Sequence, residues 1–84
     1  MDIENIIRTD FSAVLLAAGQ QLNEPLTRET ILLRSGLDSL GFAILVARLE
    51  ETLGYDPFVL MSEPVYPQTF GDFVDIYERF KPSE

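Results

Sequence analysis

The serine at position 39 is the side chain best placed for chemistry. It lies in the string GLDSL at 36–40, after a long loop and before a helix whose apolar stripe begins only at Phe42, so we expect its hydroxyl to be exposed. A helix N-terminus presents unpaired N–H groups and a partial positive charge, which favour a phosphate esterified to this serine. Asp38 adds negative charge there, which disfavours the binding of a free anion. Asp38 is better explained as a helix cap, or as a recognition and metal-positioning residue for a modifying enzyme. The tripeptide Asp-Ser-Leu alone is a weak signal, because Asp and Ser commonly begin helices as caps.

The rest of the composition excludes most catalytic designs. The 84 residues contain no cysteine and no histidine, which removes disulfides, thiolate metal sites and histidine-based nucleophiles. Asp72 and Asp75 lie near the beginning of the last predicted helix, where acids are ordinary. The other serines lie inside a predicted helix, in loops or near the last residue: Ser12, Ser35, Ser62 and Ser83. We therefore expect that the chain is not an enzyme.

The chain is acidic, with 14 Asp and Glu against 6 Lys and Arg and a net charge of −8. Such a surface repels nucleic acids and anionic membranes and attracts basic proteins, although acidity can also serve solubility alone. The first ten residues lack the basic and apolar regions of a signal peptide, and no apolar run approaches the ~20 residues that span a bilayer. We expect one small domain over residues 1–84 that is cytoplasmic and monomeric, without membrane insertion or nucleic acid partners.

The hydrophobic pattern predicts a small all-α bundle of three main helices and one short helix, with a long first loop. The main helices are predicted at about 2–18, 38–53 and 70–80, and the short one at 58–62. Their apolar stripes are expected to bury one common core. The stripe residues are Ile3, Ile6, Ile7, Phe11, Val14, Leu15 and Ala18, then Phe42, Leu45, Val46, Leu49 and Leu53, then Phe70, Phe73, Val74, Tyr77 and Phe80.

The segment from 20 to 37 has no sustained period and contains several loop-favouring residues. Leu22, Leu26, Ile31 and Leu33 are expected to pin it onto the core, with a short helical turn around 28–32. A loop of this length inside a small domain is often functional.

The string at 36–40 resembles the attachment motif of acyl carrier proteins, in which Asp-Ser-Leu opens the second helix. Two further strings are similar to parts of that family: LEETLG at 49–54 to the end of its second helix, and TFGDFV at 69–74 to the beginning of its last helix. Length, acidity, helix order and the long first loop agree as well. The resemblance therefore covers nearly the whole chain.

The resemblance implies that a phosphopantetheinyl transferase moves 4′-phosphopantetheine from coenzyme A to Ser39, which is flanked by Asp38 and Leu40. The thiol of this arm then holds an acyl or aminoacyl group as a thioester, which a loading ligase supplies and downstream acyltransferases or synthases receive. No histidine or cysteine is available to activate Ser39, so the transferase must supply the base. The carrier supplies tethering, which raises the effective concentration of cargo at each partner's active site.

The second helix is expected to be the main partner-binding surface in such a protein. By helical wheel its solvent face is an apolar strip bordered by charges: Leu40, Ala43, Ile44, Ala47, Arg48, Glu50 and Glu51. An alternative is that Ile44 is partly buried at the margin of the core. Fatty acid carriers of the resembled family have a strongly acidic second helix. Ile44 and Arg48 depart from that pattern, which favours a specialised lipid, polyketide or related biosynthetic pathway.

Three questions stay open at this point. Residues 58–68 are more apolar and proline-broken than the matching region of the family, and they could either line a cargo pocket or simply pack. The carrier could be of the peptidyl, nonribosomal type rather than the acyl type. The chain could also be a small helical interaction module that binds a partner helix through residues 40–47 and never carries an arm.

Overall fold

The computed structural model describes residues 2–20, 22, 25–62 and 66–82. Within these ranges the chain forms four α-helices and one 3₁₀ turn, which confirms the all-α bundle. They are α1 (Ile3–Ala17), the 3₁₀ turn (Leu32–Arg34), α2 (Ser39–Leu53), α3 (Pro57–Leu60) and α4 (Phe70–Arg79). The described part contains an isolated antiparallel β-bridge between Ile31 and Thr69 but no β-strand. None of its helices combines the length and apolar character needed to cross a bilayer.

Each α-helix is preceded by a residue whose side chain accepts a hydrogen bond from a first-turn amide. The capping residues are Asp2, Asp38, Asp56 and Thr69. At α4 the cap is reciprocal, because the Asp72 carboxylate also accepts from the backbone N–H of Thr69. At its other end α2 stops at Gly54, whose φ of 87° is the left-handed conformation that glycine adopts without strain.

The core lies where the three long helices meet, and aromatic side chains dominate it. Phe11 of α1 and Phe70 of α4 are fully buried and make an edge-to-face contact with ring centroids 5.7 Å apart. A second aromatic group joins α2, α3 and α4, with neighbouring centroids 5.0–6.1 Å apart; it comprises Phe42, Tyr55, Phe58, Phe73 and Tyr77. Burial raises the pKa of Tyr77, so its hydroxyl stays neutral in the core.

The predicted core residues of the helices and of the loop are largely confirmed. Three corrections concern the end of α1, the buried residues of the loop and the position of the helical turn. Ala18 is exposed rather than in the core, because it is the C-cap, beyond the last turn that packs. In the loop Ile31 and Leu33 are exposed, whereas Leu32 and Leu37 are buried. The helical turn also forms at 32–34 rather than 28–32.

The long loop is fixed to the first turn of α4 by backbone hydrogen bonds. The amides of Phe70 and Gly71 donate to the carbonyls of Thr30 and Arg28, each at 2.8 Å. These are first-turn amides, which have no partner inside their own helix. A Cβ at Gly71 would lie 2.9 Å from the Arg28 carbonyl oxygen, so the glycine permits this close approach.

The side chain of Arg28 adds a second link between the loop and the bundle. Its guanidinium donates to Glu4 of α1, at 2.7 Å, and to Asp75 of α4. Hydrogen bonds to Asp75 and then to Glu4 raise the pKa of Arg28. The loop is therefore held at its middle, and it returns from there towards the beginning of α2.

Candidate functional site

Ser39 is the first residue of α2 and is exposed, as predicted. The preceding residue, Asp38, caps the helix: its Oδ1 accepts from the amide of Gly41 at 2.7 Å, and its carbonyl accepts from the amide of Phe42 at 2.8 Å. Among the described residues, no group accepts a hydrogen bond from the amide of Ser39 or of Leu40. These two amides are therefore available to an anion attached to the serine.

The buried side chain of Leu37 anchors the junction between the loop and α2. Leu37 is almost fully buried, two residues before the exposed serine. A Cβ at Gly41 would lie 3.0 Å from Leu37 Cδ1 and 3.1 Å from Asp38 Oδ1. Gly41 therefore leaves room both for the anchor and for the cap. The sequence reasoning missed Leu37 as an anchor, although its place in the GLDSL string could have suggested one.

The other serines that the structure describes lack this combination of exposure and helix position. Ser35 is buried, and its hydroxyl donates to the carbonyl of Leu32 at 2.6 Å. Ser12 is exposed in the interior of α1, and Ser62 is exposed in a bend after α3. Ser83 lies outside the described residues.

An exposed apolar strip extends from the serine along α2. It consists of Leu40, Ala43, Ile44 and Ala47, which are all exposed. Leu40 is 69% exposed and Ile44 is 49% exposed, so Ile44 is not withdrawn into the core margin. The acids of this helix face, Glu50 and Glu51, are also exposed, but they lie beyond the strip in the last turn and a half of α2.

Arg48 is less free than the helical wheel indicated. Its side chain is 52% exposed, but its Nε donates to Asp10 Oδ1 of α1 at 3.3 Å. The Asp10 carboxylate is nearly buried, and its Oδ2 accepts from the Thr52 hydroxyl at 2.9 Å. The guanidinium therefore compensates a buried negative charge, and it ties α2 to α1.

Because of this contact, Arg48→Glu is expected to affect the stability of the fold. The substitution should lower the free energy of unfolding by about 1–3 kcal/mol, because it leaves a nearly buried carboxylate without its charged partner and adds a second carboxylate beside it. Urea denaturation at neutral pH measures the loss. Combining it with Asp10→Asn should recover part of the stability, since the repulsion is then removed. If the Arg48→Glu variant has the same urea denaturation midpoint as the wild type, the contact contributes nothing to stability.

The short helix α3 both packs and exposes apolar surface. Phe58 is half-buried in the aromatic group, while Val59 and Leu60 are exposed. Beyond it Tyr66 is exposed, and residues 63–65 lie outside the described ranges. Phe58 thus supports the interpretation of residues 58–68 as a packing segment. Across the described residues no cluster of three or more candidate ligands for a metal ion is found.

Comparison with models of known protein families identifies a match to part of the chain. A family model described as a phosphopantetheine attachment site matches residues 7–59, which is more than half of the chain. The matched span includes most of α1, the loop, all of α2 and the first residues of α3. Comparisons with curated proteins and with solved structures found no significant match.

Proposed function

Because the chain belongs to the phosphopantetheine-binding family of carrier proteins, we propose that it is an acyl carrier protein whose prosthetic arm is attached to Ser39. Members of this family hold 4′-phosphopantetheine covalently. The attachment residue, the cargo and the pathway are the parts that we propose. The observation that carries the assignment of Ser39 is an exposed serine at the first position of α2, beside two first-turn amides.

In the proposed attachment, Ser39 Oγ forms a bond to the phosphorus on the pantetheine side of coenzyme A. The diphosphate P–O bond breaks, and adenosine 3′,5′-bisphosphate leaves. A base on the transferase takes the serine proton, since the nearest carboxylate in sequence, Asp38, is engaged by the amide of Gly41. The amides of Ser39 and Leu40, at the N-terminus of α2, would be the groups available to the new phosphodiester, whose negative charge a helix N-terminus favours.

The residues around the serine fix the position of the proposed attachment point. Leu37 is buried behind the attachment point, and the Asp38 cap fixes the first turn of α2. When bound, the arm supplies the thiol that forms a thioester with the cargo. The bundle supplies tethering, so that each partner meets the cargo at a high effective concentration.

The exposed strip on α2 supports the further proposal that partners dock beside the arm. These partners would be the transferase, a loading ligase, and acyltransferases or synthases that take the cargo. Arg48, Glu50 and Glu51 border the strip. The apolar character of this face favours a specialised lipid, polyketide or related pathway, with a peptidyl carrier of nonribosomal type as the nearest alternative.

Mass spectrometry of the intact protein tests the attachment. The chain is incubated with coenzyme A and a broad-specificity phosphopantetheinyl transferase, and we expect a mass increase of one phosphopantetheinyl group per chain. Circular dichroism on the same sample establishes that the protein is folded. A folded protein that gains no mass would contradict the proposal. That outcome would favour a second function, a helical interaction module that binds its partner through the exposed strip. The exposure of Leu40 and Ile44 would support this function.

A further inference from the structure

The stretch of sequence around the proposed attachment serine differs in charge from the rest of the chain. Residues 30–49 contain three charged side chains, Arg34, Asp38 and Arg48, and therefore have a net charge of +1 in a chain whose net charge is −8. All the excess negative charge comes from other parts of the sequence. The serine and the strip beside it thus lie in a stretch without net negative charge.

Two of these three charges are already engaged within the protein. Arg48 pairs with the nearly buried Asp10, and the carboxylate of Asp38 accepts the amide of Gly41. Between Ser39 and Arg48 no residue is charged, and the exposed side chains there are those of the strip: Leu40, Ala43, Ile44 and Ala47. What this part of α2 offers to a partner is therefore apolar area.

The charge pattern decides what kind of surface fits the strip. A basic groove placed over it would lose hydration and gain no ion pair between positions 39 and 47, which makes such a complex unfavourable. An uncharged apolar groove would release water from both surfaces at no such cost. The acids Glu50 and Glu51 lie outside this contact, in the last turn and a half of the helix.

We propose, on the basis of the carrier function proposed above, that the enzymes that act on the arm of this protein seat α2 in an uncharged apolar groove. Binding is driven by burial of the strip, with Ile44 at its centre, rather than by attraction between the acidic carrier and a basic partner. Such binding depends little on ionic strength, whereas contacts between exposed opposite charges are screened by salt. The overall acidity of the chain then serves solubility.

The test measures kcat/KM for arm attachment by a broad-specificity phosphopantetheinyl transferase, the enzyme that the carrier must meet. Ile44→Asp and Ala43→Asp should each lower kcat/KM by about tenfold or more, a loss typical of a central apolar contact. Ala43→Asp removes no partly buried side chain, so it covers the case in which Ile44→Asp unfolds. The matched control is Leu16→Asp, since Leu16 of α1 is 78% exposed and lies outside the strip; it should stay within about twofold of wild type.

A second arm of the experiment tests the charge contribution. Reversing both helix-end acids (Glu50→Lys with Glu51→Lys) should change kcat/KM by less than about twofold, and so should raising NaCl from about 50 to 500 mM. The inference is overturned if the strip variants react like Leu16→Asp, or if charge reversal lowers kcat/KM by tenfold. Those outcomes differ from failure of the carrier function, in which the wild-type chain itself would gain no arm.

Discussion

Replacement of Ser39 by alanine should abolish the mass gain in the transferase reaction completely. The alanine variant has no hydroxyl to form the phosphodiester, and among the described residues no other serine combines exposure with the first position of a long helix. The effect is all-or-none rather than graded, because the substitution removes the atom to which the arm is bonded. The substitution leaves the Asp38 cap in place and affects an exposed side chain, so thermal stability should stay within about 0.5 kcal/mol of wild type.

The matched control for this prediction is Ser62→Ala. Ser62 is also exposed, but it lies in a bend after α3 rather than at a helix N-terminus. This variant should gain one arm at the wild-type rate. The assignment of Ser39 would be wrong if the Ser39→Ala protein still gained one phosphopantetheinyl group, and peptide mapping of that product would then identify the true attachment residue.

Leu49→Ala should strongly destabilise the fold. Leu49 is fully buried in the core cluster, and truncation of a buried leucine costs about 2–5 kcal/mol because it removes apolar contacts and leaves a cavity. A domain of this size has a small free energy of unfolding, within about 5–15 kcal/mol for typical proteins. The variant should therefore lose a large fraction of its stability, measured by urea denaturation at 25 °C.

Leu40→Ala is the control for this prediction, since it makes the same substitution in the same helix at an exposed position. We expect the free energy of unfolding to change by less than about 1 kcal/mol, because the Leu40 side chain is already in contact with solvent and the main effect is on helix propensity. Similar denaturation midpoints for the two variants would mean that the register of α2 is wrong. In that case the strip, too, would be wrongly identified.

Much of the fold follows from local signals in the sequence. The beginning of α2 was predictable because Asp38 is a capping residue followed by apolar residues at helical spacing, and its end because Gly54 adopts a left-handed conformation. The same local signals predicted the exposure of Ser39. The attachment of the arm at that serine is still a prediction.

The parts that sequence reasoning missed depend on contacts between distant residues. A helical wheel places Arg48 on the solvent side of α2, but it does not contain Asp10, which lies 38 positions earlier on α1. In the loop, the wrong choice of Leu33 over Leu32 has the same origin. The loop has no internal period, and its register is set by hydrogen bonds to residues near the beginning of α4, including Leu32 N to Gln68 O at 3.0 Å.

The attachment of the loop to α4 has a consequence for the order of events during synthesis on the ribosome. The carbonyls of Arg28 and Thr30 are bound by amides of residues 70 and 71, which are translated about forty residues later. A nascent chain that ends before residue 70 therefore lacks the groups that fix the loop leading to Ser39. We expect the transferase to find a well-formed substrate only after α4 has left the exit tunnel, so that arm attachment marks chains whose translation has passed the last helix.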